Sequence, residues 1–385
     1  MLHKRKIYFT LGLFFVLLNL NAQNISVSQF ESTNNFYGAD KSPYIKAASS
    51  SILKMRLRPH PICYFDAGIY ANIGDVVNFF NPVNKIQNTS KGNFGFSGAS
   101  LNFPNMGGQI FFTSIFTGLY DNLGSDSLLQ ELIKTKIEDP KYRKYYPGNS
   151  FKPQNHIKGT GTAIYGAFKQ GFYLGTYTYW NEQLKKNAEV KTDIRMGGKF
   201  DFFSFDFFSG ITVPFESKDF YFRSGILMLF DTDYGYNFFA EVGVANMLIN
   251  KISAENLNRS IYASFETRIK KENFSTSISF FLSPVFLLPV WITDESLQDS
   301  FYVGVSNLIT FGNIEKYNME GGVLLLGSIN PKKPALITPF SFSIAPFYTL
   351  KLEKFELDFR VPVNPLMYKN IKQMFNVQFS IKAVY

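Results

Sequence analysis

Apolar and polar residues alternate with a period of two along most of this chain. In one clear run Ile261, Phe265 and Ile269 stand on one phase, and Glu266 and Arg268 stand on the other. The same alternation recurs in three further segments, 187–198, 354–362 and 373–385. Successive side chains of a strand point to opposite faces of the sheet, so each run predicts a β-strand with one apolar and one polar face.

Sixteen segments carry this pattern and predict strands. They lie near 62–71, 94–103, 109–120, 157–168, 171–180, 187–198, 202–213, 219–231, 235–248, 260–270, 273–283, 300–310, 319–328, 340–352, 354–362 and 373–385. Short connections (104–106, 169–170, 200–201, 232–234, 271–272 and the region of 353) alternate with longer ones (72–93, 121–156, 249–259, 284–299, 329–339 and 363–372). The segments 181–186 and 214–218 are modest members of the longer set, and 311–318 breaks the rhythm. A soluble β-sandwich shows the same periodicity, but short turns opposite long loops are typical of a transmembrane barrel.

The first 22 residues form a predicted signal peptide. A basic stretch, Lys4–Lys6, precedes an apolar run from Ile7 to Leu18, and a cleavage site follows before Gln23. This run is short for a membrane-spanning helix, although an uncleaved N-terminal anchor is the alternative. The single cysteine, Cys63, excludes an intrachain disulfide framework, and the absence of a cysteine after the cleavage site argues against a lipid anchor.

The end of the chain carries a further signal. It alternates up to a terminal aromatic residue, with Phe375, Val377, Phe379, Ile381 and Tyr385 on one phase. With the export signal and the loop rhythm, this run resembles bacterial outer-membrane β-barrel proteins of the porin-like class, over nearly all of the mature chain. The resemblance is architectural, and no family-specific motif allows functional residues to be transferred. It implies location in the cell outer membrane and contact with outer-membrane lipid and with the outer-membrane assembly machinery. It also leaves open whether the chain forms a homo-oligomer.

The expected fold is all-β, a transmembrane antiparallel up-and-down barrel of about 16 strands, within a range of 12 to 18. Residues 62–385 are expected to form the barrel. The N-terminal segment 23–61 is expected to be periplasmic, a plug, or the first strands. If Ile25–Phe30 and the alternating stretch around Leu53–Arg58 are strands, the count becomes eighteen.

Composition narrows the function further. The charged fraction is 18%, below the usual quarter, and the chain carries 39 basic and 30 acidic residues, three of the basic ones in the leader. This mild excess contains no basic block of the kind that binds nucleic acid. No P-loop, His-Glu-x-x-His or Gly-x-Ser-x-Gly motif occurs, and His60 and His156 are expected to be ordinary surface residues. We therefore expect no enzyme, no cofactor and no metal.

The polar phase of the strands predicts what faces the barrel interior. The candidate pore-lining residues are Lys158, Glu189, Lys191, Asp193, Arg195, Arg223, Glu241, Glu266, Arg268, Glu356, Asp358, Arg360 and Lys382. Asp66, Asp206, Asp231, Lys270 and Lys351 complete a set in which nine cations face nine anions, which predicts little ion selectivity. These charges line a polar channel or pair with one another in a closed interior. If Lys54, Arg56 and Arg58 join the wall or a plug, the lumen becomes basic and favours anions.

The connection 121–156 is the most informative loop. A helix beginning after Ser127 is expected to end at Pro140, and it is followed by a basic and aromatic cluster of six residues, Lys141, Tyr142, Arg143, Lys144, Tyr145 and Tyr146. Folded inward, this cluster constricts the pore; folded outward, it caps the barrel, contacts a subunit or binds a partner.

Three functional hypotheses follow. The first is an outer-membrane channel for passive or weakly selective diffusion of small solutes. The second is a non-conducting surface barrel that binds a partner through its long loops. The third is a transporter of hydrophobic compounds of the fatty-acid type, suggested by the 43 phenylalanines and by the apolar stretch Pro284–Ile292. Lipid-facing surface is the simpler interpretation of the phenylalanines.

Overall fold

The computed structural model describes residues 25–38, 45–73, 92–104, 111–123, 155–168, 171–181, 188–232, 234–251, 253, 257, 260–284, 301–329, 340–369 and 371–383. Eighteen β-strands account for most of them. They are β1 (Ile25–Gly38), β2 (Ile45–His60), β3 (Cys63–Ile73), β4 (Gly92–Phe103), β5 (Phe111–Leu123), β6 (Asn155–Phe168), β7 (Phe172–Trp180), β8 (Glu189–Phe200), β9 (Phe203–Pro214), β10 (Tyr221–Thr232), β11 (Tyr236–Leu248), β12 (Ile261–Lys271), β13 (Phe274–Pro284), β14 (Phe301–Asn313), β15 (Met319–Ile329), β16 (Phe340–Lys351), β17 (Phe355–Arg360) and β18 (Asn376–Ala383).

The strands form one closed antiparallel sheet. Each strand pairs with its neighbours in the chain, and β1 closes the ring by pairing with β18, from Glu31 opposite Lys382 to Tyr37 opposite Asn376. Closure gives every strand a hydrogen-bonded neighbour on both sides, so no strand is an edge strand. The fold is therefore an all-β up-and-down barrel, as the sequence predicts.

The expected count of about 16 strands is wrong, because the barrel has 18. All sixteen predicted segments form strands, and the two additional strands are β1 and β2 at the N-terminal end. Their pattern is weak for a physical reason: β1 is mostly polar on both phases and β2 opens with small residues, Ala47–Ser51. β1 and the first part of β2 therefore lack the alternation of apolar and polar residues that identifies the other strands.

The two ends of the barrel differ in the length of their connections. The short connections, from the two residues 61–62 to the seven residues 104–110, all lie at the end where β1 begins and β18 finishes. The connections at the opposite end are mostly longer, and include 74–91 and 124–154. The predicted irregularity at 311–318 disappears because β14 continues to Asn313 and leaves only a five-residue turn, 314–318.

Burial alternates along the strands with the same period as the sequence. On β12, Tyr262, Ser264 and Glu266 are buried on the inner face, whereas Phe265 and Ile269 are exposed on the outer face. Exposed outward phenylalanines recur around the barrel at Phe94, Phe96, Phe111, Phe280, Phe311, Phe355 and Phe359. An apolar outer phase and a polar inner phase are the reverse of a soluble sandwich.

Among the residues that the structure describes, helical structure is minor. Short 3-10 helices occupy Ile249–Lys251 and Pro365–Met367, and an α-helical turn, α1, covers Ile371–Met374. Within the described ranges, no helix has both the length and the apolar character needed to cross a membrane. The predicted signal peptide, the cluster Lys141–Tyr146, most of Pro284–Ile292 and the terminal Tyr385 lie outside the described residues.

Candidate functional site

The inner face of the barrel holds most of the predicted pore-lining residues. Glu189, Lys191, Asp193 and Arg195 follow one another on the inner phase of β8, and the corresponding phase carries Arg223, Glu241, Glu266, Arg268, Glu356, Asp358, Arg360 and Lys382 on later strands. Lys158 is the exception. It stands on the exposed phase of β6, between the buried Ile157 and Gly159, so the structure places it on the outer surface.

The most deeply buried charges form a network that crosses four strands. Arg195 on β8, with a side chain 0% exposed, donates from Nε to Oδ1 of Asp206 on β9 over 2.9 Å and from Nη2 to Oδ2 over 2.5 Å. Its Nη1 donates to Oδ2 of Asp121 on β5 over 3.0 Å. The hydroxyls of Tyr173 and Tyr177 on β7 donate to Asp206 and Asp121. One guanidinium thus holds two carboxylates in a fully hydrogen-bonded arrangement.

A second network lies beside it. Arg223 on β10 donates from Nε to Oδ1 of Asp193 over 2.8 Å and from Nη2 to Oδ2 of the same carboxylate. It also donates to the hydroxyl of Tyr179 and, over 3.3 Å, to the carbonyl of His156. His156 therefore contributes its backbone here.

Three further pairs join charged residues that stand two positions apart on one strand. Glu266 accepts from Arg268, two residues along β12, and from the hydroxyl of Ser279 over 2.5 Å. Asp358 and Arg360 make the same two-residue pair on β17. Lys191 lies 3.2 Å from Glu189 on β8. These charges are thus neutralised by their neighbours, which is the arrangement expected of a closed interior.

Aromatic side chains fill the inner face between β3 and β12. Phe112 stacks on Tyr165 with ring centroids 4.5 Å apart, and Phe116 stacks on Tyr120 at 4.3 Å. The hydroxyls of Tyr120 and Tyr165 are 2.8 Å apart. The buried cluster continues through Tyr64, Tyr173, Tyr177, Tyr179, Phe208, Phe239 and Tyr262. These rings pack the interior and present hydroxyls to the charges.

Sequence reasoning missed this inner aromatic layer. Its signal was present in β7, where Tyr173, Tyr177 and Tyr179 share one phase and Leu174 and Trp180 occupy the other. A buried tyrosine hydroxyl needs a hydrogen-bond partner, which lipid does not supply. Tyrosines that share one phase therefore indicate the inner face, and phenylalanine, leucine and tryptophan on the other phase indicate the lipid face.

A cavity of about 480 Å³ opens on the inner face of the first strands. Its polar lining includes Lys54 and Arg56 of β2, Asp66 of β3, Ser100 of β4 and Asp121 of β5. Tyr64, Tyr120, Tyr165, Asn102, Ser28 and Ser97 are its other hydrogen-bonding side chains.

The basic residues of β2 hold different positions in this cavity. Arg56 is committed to Asp66 by two hydrogen bonds of 2.8 and 3.0 Å, and it lies 4.2 Å from the centre of the Tyr64 ring. The described part of the chain supplies no hydrogen bond or ion pair to Lys54, which lines the cavity together with Asp66 and Asp121. Arg58 is exposed near the short-turn end. The cavity thus presents the Lys54 ammonium group, the Asp121 carboxylate, the paired charges of Arg56 and Asp66, and several hydroxyls.

Comparison with known proteins gives a likeness of fold. No family model and no curated protein matches the chain. Among solved structures, OccAB2 of Acinetobacter baumannii is similar with a TM-score of 0.53 and 10% identity, over 94% of this chain and 98% of that one. A mutant of the Rh. blastica porin (TM-score 0.47, 9% identity, 94% and 100% covered) and OprB of Pseudomonas putida (0.42, 7%, 95% and 94%) are more distant. The fold of this chain is a porin-type β-barrel.

Proposed function

We propose that this protein is an outer-membrane channel for passive, weakly selective diffusion of small polar solutes. The observation that carries the proposal is the closed 18-stranded barrel with an apolar outer phase, a charged and hydroxyl-rich inner phase, and a polar cavity on that inner face. A barrel with this number of strands has room for an aqueous interior beside the packed aromatic layer. The likeness of fold to OccAB2 supports the same class.

Weak selectivity is the consequence of the pairing inside the barrel. A permeating ion meets Arg56 with Asp66, Arg223 with Asp193, and Arg360 with Asp358, each a nearly neutral unit at a distance. The field along the route is therefore small, and the size of the solute decides passage more than its charge does.

The proposal includes location in the outer membrane, reached by export through the signal peptide 1–22 and by the outer-membrane assembly machinery acting on the terminal strand. Fractionation of the cell envelope tests the location. The protein is expected in the outer-membrane fraction and should leave it only with detergent, whereas release by salt or carbonate would contradict it.

Liposome swelling tests the transport itself. Liposomes that contain the purified protein should swell in solutions of small sugars and amino acids, at rates that fall steeply as solute size rises. Equal rates with and without protein, for a protein shown to be folded, would contradict the channel.

The packing of the interior favours a second function, a non-conducting barrel that binds a partner through its long loops. Tyr177, Arg195 and Phe239 are fully buried, so this part of the interior is filled by packed side chains. In this alternative the ion-pair networks stiffen the wall and the surface loops carry the activity. Absence of swelling, together with saturable binding of a macromolecule to intact cells, would favour it.

A further inference from the structure

The wall of the barrel splits between β4 and β5. These strands pair from Phe103 opposite Thr113 to Gly98 opposite Gly118, and no further pair joins them. Both nevertheless continue toward the long-loop end, where β4 stays paired with β3 as far as Gly92 and β5 stays paired with β6 as far as Leu123. The two strands therefore follow different paths beyond the two glycines.

Two glycines show which way β5 turns. Gly118 has a φ of 82°, a left-handed conformation that an L side chain rarely adopts. A Cβ atom at Gly98 would lie 2.5 Å from the carbonyl oxygen of Leu119 and 2.9 Å from its backbone nitrogen. Gly98 shares the inward phase of Ser100 and Asn102, so the backbone of Leu119 lies on the inner side of β4. Strand β5 thus bends into the interior at Gly118.

A β-bulge immediately follows the bend. Leu119 pairs with Lys158 and Asp121 pairs with Ile157, which leaves Tyr120 as an extra residue. A bulge lets two consecutive side chains reach the same face. Tyr120 donates its hydroxyl to Ser114 over 2.7 Å, and Asp121 accepts from Arg195 over 3.0 Å, so both side chains act inside the barrel.

The ion pair between Asp121 of β5 and Arg195 of β8 shows how far the bend extends into the interior. Strands β5 and β8 are separated by β6 and β7, which corresponds to about 14 Å along the wall at the usual strand spacing. A direct ion pair over that span requires the wall to curl inward, and the hydroxyl of Tyr177 on β7 also reaches Asp121. The segment Leu119–Asp121 is anchored in this position by hydrogen bonds from both sides.

The bend also forms one side of the 480 Å³ cavity. Leu119, Tyr120 and Asp121 line it, and Lys54 and Arg56 of β2 line it as well. A solute that occupies the cavity therefore contacts the bent strand and the basic residues of β2.

We propose that the inward bend Leu119–Asp121 is the constriction of the channel, with Asp121 and Lys54 as its charge-selecting residues and small neutral or zwitterionic solutes as its preferred cargo. The proposal rests on the channel function proposed above. Asp121 and Asp206 share the single guanidinium of Arg195, which leaves one negative charge that Lys54 balances within the cavity. The constriction is therefore built from a strand of the wall, and its position does not depend on the long loops.

Asp121→Asn tests the charge of the constriction. The variant keeps the shape of the side chain and removes the negative charge that faces Lys54, so the ratio of chloride to potassium permeability should rise about threefold, the effect of a unit charge on an ion a few ångströms away in water. Glu315→Gln is the matched control, because it removes a carboxylate from an exposed position in the short turn 314–318, outside the strands that line the lumen, and should leave the ratio near that of the unmodified protein.

Tyr120→Ala tests the size of the constriction. Removal of the ring opens the cavity toward Phe116 and should raise both single-channel conductance and the swelling rate for the larger sugars. Heat-modifiable migration in gels confirms that each variant is folded. A variant that fails this check is replaced by Tyr120→Leu, which should raise conductance less than the alanine variant, or by Asp121→Ser, which removes the same charge and should shift the ratio by a similar factor.

The outcomes separate this proposal from the channel function. If the unmodified protein conducts and the variants at 120 and 121 match it, the constriction lies elsewhere and this inference is overturned. If the folded protein and all variants are silent, the channel function itself fails. If the unmodified protein does not conduct but the Tyr120→Ala variant does, the result supports the constriction and shows that it closes the channel.

Discussion

At the scale of single residues, two arginine side chains bind several of the buried acceptors of the interior. Arg195 satisfies both Asp206 and Asp121, and Arg223 satisfies Asp193 and the hydroxyl of Tyr179. A buried guanidinium with this many acceptors is stable, but each acceptor becomes costly when the guanidinium is lost, because a charge without a partner remains in a poorly hydrated place.

Arg195→Gln is therefore expected to destabilise the barrel by about 3–5 kcal/mol, since it leaves Asp121 and Asp206 buried without their cation. Urea unfolding of the protein in lipid vesicles measures the change. Arg58→Gln, at an exposed position near the short-turn end, is the control and should alter the stability little. Equal stabilities for the two variants would show that the network contributes nothing.

Lys54→Gln tests the positive charge that balances Asp121 in the cavity. The variant leaves the excess negative charge around Asp121 without its balance, so the reversal potential in a salt gradient should move toward potassium selectivity, by a factor similar to that for Asp121→Asn but of opposite sign. Lys158→Gln removes the same charge from the outer face of β6 and should leave the reversal potential unchanged. A shift of the same size in both variants would contradict the assignment of inner and outer faces.

At the scale of the elements, the bend of β5 depends on glycine at a defined position. Gly118→Ala places a Cβ where φ is 82° and where the carbonyl oxygen of Ser97 would lie 2.6 Å away. The variant should lose about 1–2 kcal/mol from the conformation alone, and more from the close contact. Unfolding in urea measures the loss.

Gly327→Ala is the matched control for that variant. Its Cβ would meet side-chain atoms of Phe340 and Val305 no closer than 3.6 Å, which is ordinary contact. If both alanine variants are equally stable, the bend at Gly118 does not require glycine.

The elements also show what the sequence could and could not predict. Alternation located β8, β12 and β16 nearly to the residue, because a strand with one face in lipid and one in the lumen has a strong period of two. It gave β1 only as a conditional strand over Ile25–Phe30, since β1 is mostly polar on both phases. Alternation did not predict the bend of β5, because Gly118 and the extra residue Tyr120 look like part of one regular strand until the pairing with β6 is known.

At the scale of the whole molecule, the barrel is asymmetric inside. Aromatic rings and ion-pair networks occupy the face from β3 to β12, and the bent strand projects beside them. Small hydroxylated residues, among them Ser277, Ser306, Ser328 and Ser343, line the inner face of β13 to β16. The charges were predictable from the sequence as members of the inner phase, but their partners were not, since Asp121 and Arg195 are 74 residues apart and meet only through the curvature of the wall.

The measurement that tests the central claim most directly is the single-channel conductance of the detergent-purified protein in a planar lipid bilayer. A channel with a charge-balanced constriction predicts discrete, reproducible steps that are small for a barrel of 18 strands, with similar permeability for potassium and chloride. Absence of any step from protein shown to be folded and inserted would contradict the claim, and would direct attention to the long loops as the functional surface.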